Sequence, residues 1–253
     1  AVGLVIVAEQ MEHAVNEIIG VACDGYGYGV DGEAWGGEIL LCTRDTADFA
    51  RLGHLEPQPL IGGDTATRYP LRIATAILNK KVDVAPWLLQ NAVRLPHGEN
   101  EAKLLLHQLK QGNGTVETTS CGRILDAVAA VLGVCYERTY EGEPAMKLES
   151  VAVKGRDKLK LKPITNGNVL DTTQLLLEIF ENRGKLRKED LAYSTHAYLA
   201  AGLASLAAKK ALEQGVNTVG FSGGAACNEL LASLMRKNVE AAGLRFLVHE
   251  AVP

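Results

Sequence analysis

The stretch VACDGYGYGVDGEAWGGEILL, residues 21–41, decides how this chain is expected to fold. It holds six glycines and four carboxylates between two apolar ends. Apolar runs of this length are typical of β-strands, and glycines between two such runs are typical of a hairpin turn. The stretch therefore predicts a β-hairpin whose glycine-rich part lies just after a buried strand.

The composition is that of an ordinary globular protein. The 253 residues are 47% hydrophobic and 22% charged, with a formal net charge of -4. Charge of this kind, without long basic runs, does not favour nucleic acid as a partner, and no apolar segment is long enough to suggest a membrane span. Five scattered cysteines predict buried thiols in a reducing compartment such as the cytoplasm, namely Cys23, Cys42, Cys121, Cys135 and Cys227.

The rest of the chain alternates predicted helices with short strands. We expect a helix up to about His13, and a strand, glycine turn, helix and strand in the last 40 or so residues, which is the crossover unit of α/β proteins. Residues 43–70 are rich in turn residues, which predicts an irregular excursion over the surface. Residues 43–112 together are predicted to be an insertion within one domain.

A second glycine turn occurs in FSGGAACNELL, residues 221–231. A strand that ends at Ser222 and continues through Gly223 and Gly224 lets the backbone approach a ligand, and the next helix directs its first amides at an anion. Asn228 lies close enough to that helix start to bond a ribose or a base. A turn used only for packing has the same pattern, so both interpretations stay open.

Asp24 and the glycines after it are predicted to form the other half of the same binding site. The amides of Gly25, Gly27 and Gly29 can wrap a phosphate, while the Asp24 carboxylate holds a magnesium ion or orients water. A solvated hairpin loop is the alternative. Two such turns that face each other describe the actin-like ATPase architecture, an α/β fold with mixed sheets flanked by helices.

Five motifs stand in the order found in the C-terminal part of the HypF-type carbamoyltransferases, which mature NiFe hydrogenases. The motifs are VACDGYGYGVDGEAWGGEILL, LGHLEPQPLIGGDTATRYPLR, TSCGRILDAVAAVLGV, YEGEPAMKLE and FSGGAACNELL. The chain resembles this family over nearly its whole length, and the same region resembles the tRNA threonylcarbamoyl transferases of the actin, Hsp70 and sugar-kinase fold. The resemblance implies one carbamoyltransferase-like domain over residues 1–253.

The resemblance also implies an activity. In the family, ATP and carbamoyl phosphate give carbamoyl-adenylate in a separate domain, and this region passes the carbamoyl group to a C-terminal cysteine of a HypE-type maturation protein. The cyanide ligands of the hydrogenase iron are made from it. A sugar kinase of the same fold is less favoured, because the hairpin lacks the usual context of a kinase aspartate.

The resemblance assigns site residues to three regions. Asp24, the expected catalytic residue, and Gly25 match the phosphate hairpin. The nucleoside is matched by Gly122, Asp126 and Glu149, and the adenosine turn by Ser222, Gly223, Gly224 and Asn228. Lys147 stands where the family usually has an acid. The roles of Arg68 and Arg72 are left open.

The family's metal ligands lie in an HHHAH motif and in a DGG motif, and neither occurs in these residues. The six histidines include no pair at i,i+4 spacing, so we expect no transition-metal site and place each histidine on a helix surface or loop. We expect a weakly held magnesium at Asp24 and very slow transfer by this chain alone. A truncated or degenerate nucleotide-binding scaffold of the same fold is the alternative function.

Overall fold

A computed structural model describes residues 17–43, 48–112 and 115–248. The strands of the described residues belong to one sheet. They are β1 (Glu17–Tyr28), β2 (Ala34–Thr43), β3 (Phe49–Leu55), β4 (Gln58–Ile61), β5 (Thr115–Thr118), β6 (Thr165–Asn166), β7 (Val169–Leu170), β8 (Thr218–Ser222) and β9 (Arg245–Val248).

Helices connect and cover these strands. They are α1 (Asp64–Arg68), α2 (Leu71–Leu78), α3 (Ala85–Gln90), α4 (Gly98–Gln111), α5 (Cys121–Val131), α6 (Glu143–Ala152), α7 (Thr173–Asn182), α8 (Lys188–Gln214) and α9 (Glu229–Ala241), with short 3-10 segments at Ala92–Arg94 and Gly224–Cys227. No helix within the described ranges is long and apolar enough to cross a bilayer.

The sheet is mixed. Its main path runs β6-β7-β3-β2-β1-β8-β9, and β5 joins β4 to β2 beside this path. The hairpin strands β1 and β2 are antiparallel, whereas β1, β8 and β9 are parallel neighbours. The predicted hairpin and the predicted crossover from β8 through α9 to β9 are both confirmed, as is a mixed sheet flanked by helices.

The side chains of β1 point alternately to the two faces of the sheet, and both faces are covered. Ile19, Val21 and Cys23 belong to the main core, and both α5 and α8 pack against β1. Ile18 belongs instead to a smaller cluster that includes Leu40. This burial fixes the register of β1, so the position of Asp24 at its exposed end is fixed as well.

Several sequence expectations need correction. The turn-rich residues 43–70 are not irregular throughout, because β3 pairs with β2 and β4 pairs with β5. Strand partners distant in sequence supply these hydrogen bonds, and the local turn signals do not show them. The insertion over residues 43–112 stays a prediction, and the helix expected up to His13 lies outside the described residues.

Burial also differs from expectation at two positions. Four cysteines are buried as predicted, but Cys227 is exposed, although Ala226 beside it in the Gly224–Cys227 segment is buried in the core. His196, expected on a surface, is fully buried within α8. That helix is covered by α6, α7 and α9 as well as by the sheet, so most of its faces are internal.

Ser120 joins β1 to α5 through its hydroxyl group. Its Oγ accepts the N–H of Arg123 at 3.2 Å and so caps α5. The same Oγ lies 2.6 Å from the carbonyl oxygen of Asp24 and 2.9 Å from that of Gly25, to which it donates its proton. One buried hydroxyl therefore satisfies backbone groups of both elements.

Ser120→Ala should lower the free energy of unfolding by about 1–3 kcal/mol, because it removes a helix cap and leaves two carbonyls short of a donor. Urea unfolding followed by circular dichroism measures the change. Ser150→Ala, on the exposed side of α6, is the matched control and should change stability by less than about 0.5 kcal/mol. Equal stability of the two variants would contradict the assigned role of Ser120.

Candidate functional site

A cavity of about 310 Å³ opens where the end of β1, the start of α5, helix α6 and the turn after β8 meet. Most of the residues predicted for a nucleotide site line it: Asp24, Gly25, Gly122, Asp126, Glu149, Gly224 and Asn228. They come from four separate elements of the chain. The structure therefore brings these predicted residues together around one concave surface.

Glycines allow these elements to approach one another closely. A Cβ atom on Gly122 would lie 2.8 Å from the Cα of Gly25, which is too close for any real side chain. A Cβ atom on Gly224 would lie 3.2 Å from Oδ1 of Asp24, so the two predicted turns do face each other. The cavity wall depends on backbone contacts that larger residues would separate.

Ser222 and Gly223 do not line the cavity. Ser222 is buried at the end of β8, beside Ala22 of β1. Gly223 has a φ of +96°, and a Cβ atom there would collide with the carbonyl oxygen of Cys23. These two residues hold the turn against β1 and lie behind the surface that Gly224 presents.

Gly27 and Gly29 also lie away from the cavity, contrary to the expectation that their amides wrap a phosphate. A Cβ atom on Gly27 would be 3.1 Å from the carbonyl oxygen of Trp35, and one on Gly29 would overlap the Trp35 indole. The later glycines of the hairpin therefore make room for Trp35, and Gly25 alone of these three glycines lines the cavity.

Asp126 is the most unusual group in the cavity wall. Its side chain is fully buried, and Arg123 Nη2 lies 2.9 Å from its Oδ2. This ion pair is poorly aligned, since neither carboxylate oxygen accepts a hydrogen bond within the described residues. Burial raises the pKa of Asp126 to about 6, although Arg123 and Arg138 oppose the shift. The same burial lowers the pKa of Arg123.

The start of α9 is capped by two of the cavity residues. Glu149 Oε1 accepts the N–H of Leu230 at 3.2 Å, and Asn228 Oδ1 accepts the N–H of Leu231 at 2.8 Å. The expectation that the first amides of α9 face a ligand anion therefore does not hold for Leu230 and Leu231. Side chains bind these two donors, which a helix start would otherwise offer to a ligand.

The cavity is also lined by residues that sequence reasoning missed. Leu125, Ala145 and Met146 supply an apolar surface, and Cys227 adds a thiol at the rim. Arg123 could have been found from its i,i+3 spacing to Asp126 on a predicted helix. No sequence signal marks the apolar residues, because small and apolar side chains on α5 and α6 are equally expected in a core.

The two arginines whose roles the sequence left open each bond another part of the protein. Arg72 bonds the buried Glu101 at 2.5 Å and the carbonyl oxygen of Ile61 at 3.2 Å, which is a structural role. Arg68 pairs with Glu137 at the surface, at 3.0 Å. Neither arginine lines the cavity. Within the described ranges, no group of three or more His, Cys, Asp or Glu side chains is arranged to hold a metal ion.

Comparison with known proteins identifies the family of this chain. Residues 20–253 match the family model described as carbamoyltransferase, Kae1-like domain, second subdomain. The probable carbamoyltransferase HypF of Methanocaldococcus jannaschii is 38% identical over 239 residues, which are 94% of this chain and 31% of that protein.

Solved structures show the same similarity. The crystal structure of T. kodakarensis HypF matches with a TM-score of 0.87 and 40% identity, covering 98% of this chain and 33% of that one. Full-length HypF in a phosphate- and nucleotide-bound form matches with a TM-score of 0.85 and 29% identity, over 98% of this chain and 39% of that one. This chain thus spans about a third of these relatives, and the predicted family and fold class are confirmed. The chain belongs to the Kae1-like carbamoyltransferase domain family and corresponds to its second subdomain.

Proposed function

We propose that the cavity binds an adenine nucleotide and that the chain serves nucleotide-dependent carbamoyl transfer in hydrogenase maturation. The observation that carries the proposal is Asp126, a buried carboxylate in the cavity wall whose oxygens accept no hydrogen bond from any residue that the structure describes, although Arg123 lies beside it. Buried polar groups without partners are rare, and a binding site is a common reason for one. Family membership and the nucleotide-bound relative support the same conclusion.

Asp126 suits the hydroxyl groups of a ribose. A carboxylate only accepts hydrogen bonds, and a ribose diol supplies two O–H donors without adding charge. The apolar side chains of Leu125, Ala145 and Met146 lie in the same cavity and suit the faces of a purine base. Glu149 and Asn228 border this nucleoside region, each with one side-chain atom already bound to α9.

Asp24 suits the phosphate end. Its carboxylate is exposed at the end of β1, where Oδ1 accepts the N–H of Gly25 at 2.6 Å. A hard cation such as magnesium, bound mainly by water and phosphate oxygens, takes one or two carboxylate oxygens of this kind. We therefore assign the phosphates and a magnesium ion to the space beside Asp24, Gly25 and Gly224, with Ser222 and Gly223 supporting that turn.

The transfer step uses carbamoyl-adenylate as the donor. The thiolate of an acceptor cysteine attacks the carbamoyl carbon, a C–S bond forms, and the C–O bond to the adenylate phosphate breaks to release AMP. Asp24 would hold a magnesium ion here, and such an ion would supply positive charge beside the leaving phosphate. The acceptor is a HypE-type maturation protein with a C-terminal cysteine, and its product leads to the cyanide ligands of the hydrogenase.

Gly224→Val should reduce the affinity for ATP at least tenfold while the chain stays folded. The new side chain would press on Asp24 and occupy the cavity, yet the backbone at Gly224 does not require a positive φ. Calorimetry with ATP and magnesium measures the affinity. Gly184→Val, placed in open space at a surface position with an ordinary φ, is the matched control and should bind like the wild type. A folded Gly224→Val variant with unchanged affinity would reject the site.

Cys227 offers a second measurement of the same binding. It is the exposed cysteine of the five and lies at the cavity rim, so iodoacetamide should modify it first. ATP should slow this modification in the wild type and not in Gly224→Val. Modification at a rate independent of ATP would place the nucleotide elsewhere.

Binding should weaken as the pH falls below about 6. Ribose hydroxyls donate to the ionised Asp126 carboxylate, and the pKa of this group is about 6, so its protonation competes with the ligand. Affinity should fall about tenfold per pH unit well below that pKa. Adenosine is the suitable probe because it has no phosphate that titrates in this range. Asp126→Asn should bind adenosine weakly at every pH, and a wild-type affinity that is constant from about pH 7 to about pH 5 would contradict this role.

A further inference from the structure

His196 is buried inside α8 but is bonded to the cavity wall. Its side chain is fully inaccessible to solvent, with Nδ1 2.8 Å from the carbonyl oxygen of Ala192 in the preceding turn. Its other ring nitrogen, Nε2, lies 3.1 Å from Nδ2 of Asn228. The proposed transfer chemistry uses no group on α8, so this contact needs a separate explanation.

The neighbours of the ring determine where its proton lies. A carbonyl oxygen can only accept, so Nδ1 must carry the hydrogen that faces Ala192. Burial lowers the pKa of His196 to about 4, so the ring is neutral near pH 7 and Nε2 has a lone pair. Nε2 must therefore accept a hydrogen bond from the Asn228 amide.

The orientation of Asn228 agrees from the other side. Its Oδ1 accepts the N–H of Leu231 at 2.8 Å, which leaves Nδ2 facing His196. One N–H of Nδ2 is used by the ring, and the second has no partner in the described part of the chain. Asn228 lines the cavity and is itself 7% exposed. The second N–H of Asn228 is thus the donor available to the cavity at this position, whereas Oδ1 is bonded to the backbone of α9.

We propose that His196 is a positioning residue, which locks the Asn228 amide so that the cavity presents an N–H donor to an acceptor atom of the bound ligand. The inference rests on the proposed nucleotide site, since the ligand atom it concerns is a ring nitrogen or an oxygen of that nucleotide. Without the ring, the amide would lose one of the two contacts that set its orientation. The donor would then be free to rotate away, and the buried N–H would lack its partner.

The proton assignment can be measured without any ligand. Nitrogen-15 NMR of the histidine rings should show His196 near pH 7 as a neutral ring with hydrogen on Nδ1 and a bare Nε2. The Asn228→Asp variant keeps the cap on α9 but removes the donor, so the Nε2 signal should shift in it. A ring with hydrogen on Nε2 in the wild type would overturn the proposal, because that ring could not accept from Asn228.

A double-mutant cycle with ATP tests the functional part. His196→Leu and Asn228→Asp should each weaken ATP binding about tenfold, and the double variant should be no weaker than the worse single variant. His196→Gln, which retains both an acceptor and a donor, should bind within about threefold of the wild type. Fully additive losses in the double variant would show that His196 affects binding independently of Asn228 and would overturn the positioning role.

Thr195→Val is the control for a merely structural effect. Thr195 is buried on the same helix, and its hydroxyl donates to the carbonyl oxygen of Leu191 at 3.0 Å. Among the described residues it makes no hydrogen bond to Asn228. It should lose stability and keep its ATP affinity, and an equal loss of affinity in this variant would overturn the positioning role. If the wild-type chain binds no ATP, the proposed function fails, while the ring measurement still decides whether His196 orients Asn228.

Discussion

The hydrogen bonds of Ser120 are the constraint on which the candidate site depends. They hold Asp24 and Gly25 of β1 against the first turn of α5 at a fixed distance. The contact is possible because Gly122 lacks a side chain at the point where the two backbones meet. Asp24 and Asp126, about 100 residues apart in the chain, border one cavity because this junction brings their elements together.

The cavity combines a rigid wall with a buried carboxylate that accepts no hydrogen bond from the described residues. Glu149 and Asn228 each accept an N–H from the start of α9, and His196 bonds Asn228, so that wall has little freedom to move. Asp126 has only a poorly aligned arginine, and a buried pair of this kind contributes little to stability. Burying a carboxylate without hydrogen bonds costs free energy, and a ligand that donates to Asp126 would offset that cost on binding. The buried carboxylate is thus linked to the proposed function.

Local patterns predicted much of this molecule. The hairpin, the long helices and the final crossover all follow from periodicity, glycines and strand-forming residues, which act over a few neighbouring positions. Asp24 and Gly224 were found for the same reason, since a carboxylate or a glycine at a strand end is visible in the sequence. The segment containing β3 and β4 was missed, because those strands are defined by partners distant along the chain.

The sequence by itself determined the elements and the kinds of residue available to a site, because backbone propensity and spacing are local properties. Only the tertiary structure decided which of those residues line the cavity. Burial and hydrogen-bond partners come from segments far apart in sequence, which is why Gly223 packs behind the turn, Cys227 reaches the rim and His196 is enclosed. The raised pKa of Asp126 has the same origin, since desolvation exists only once the surrounding elements have packed.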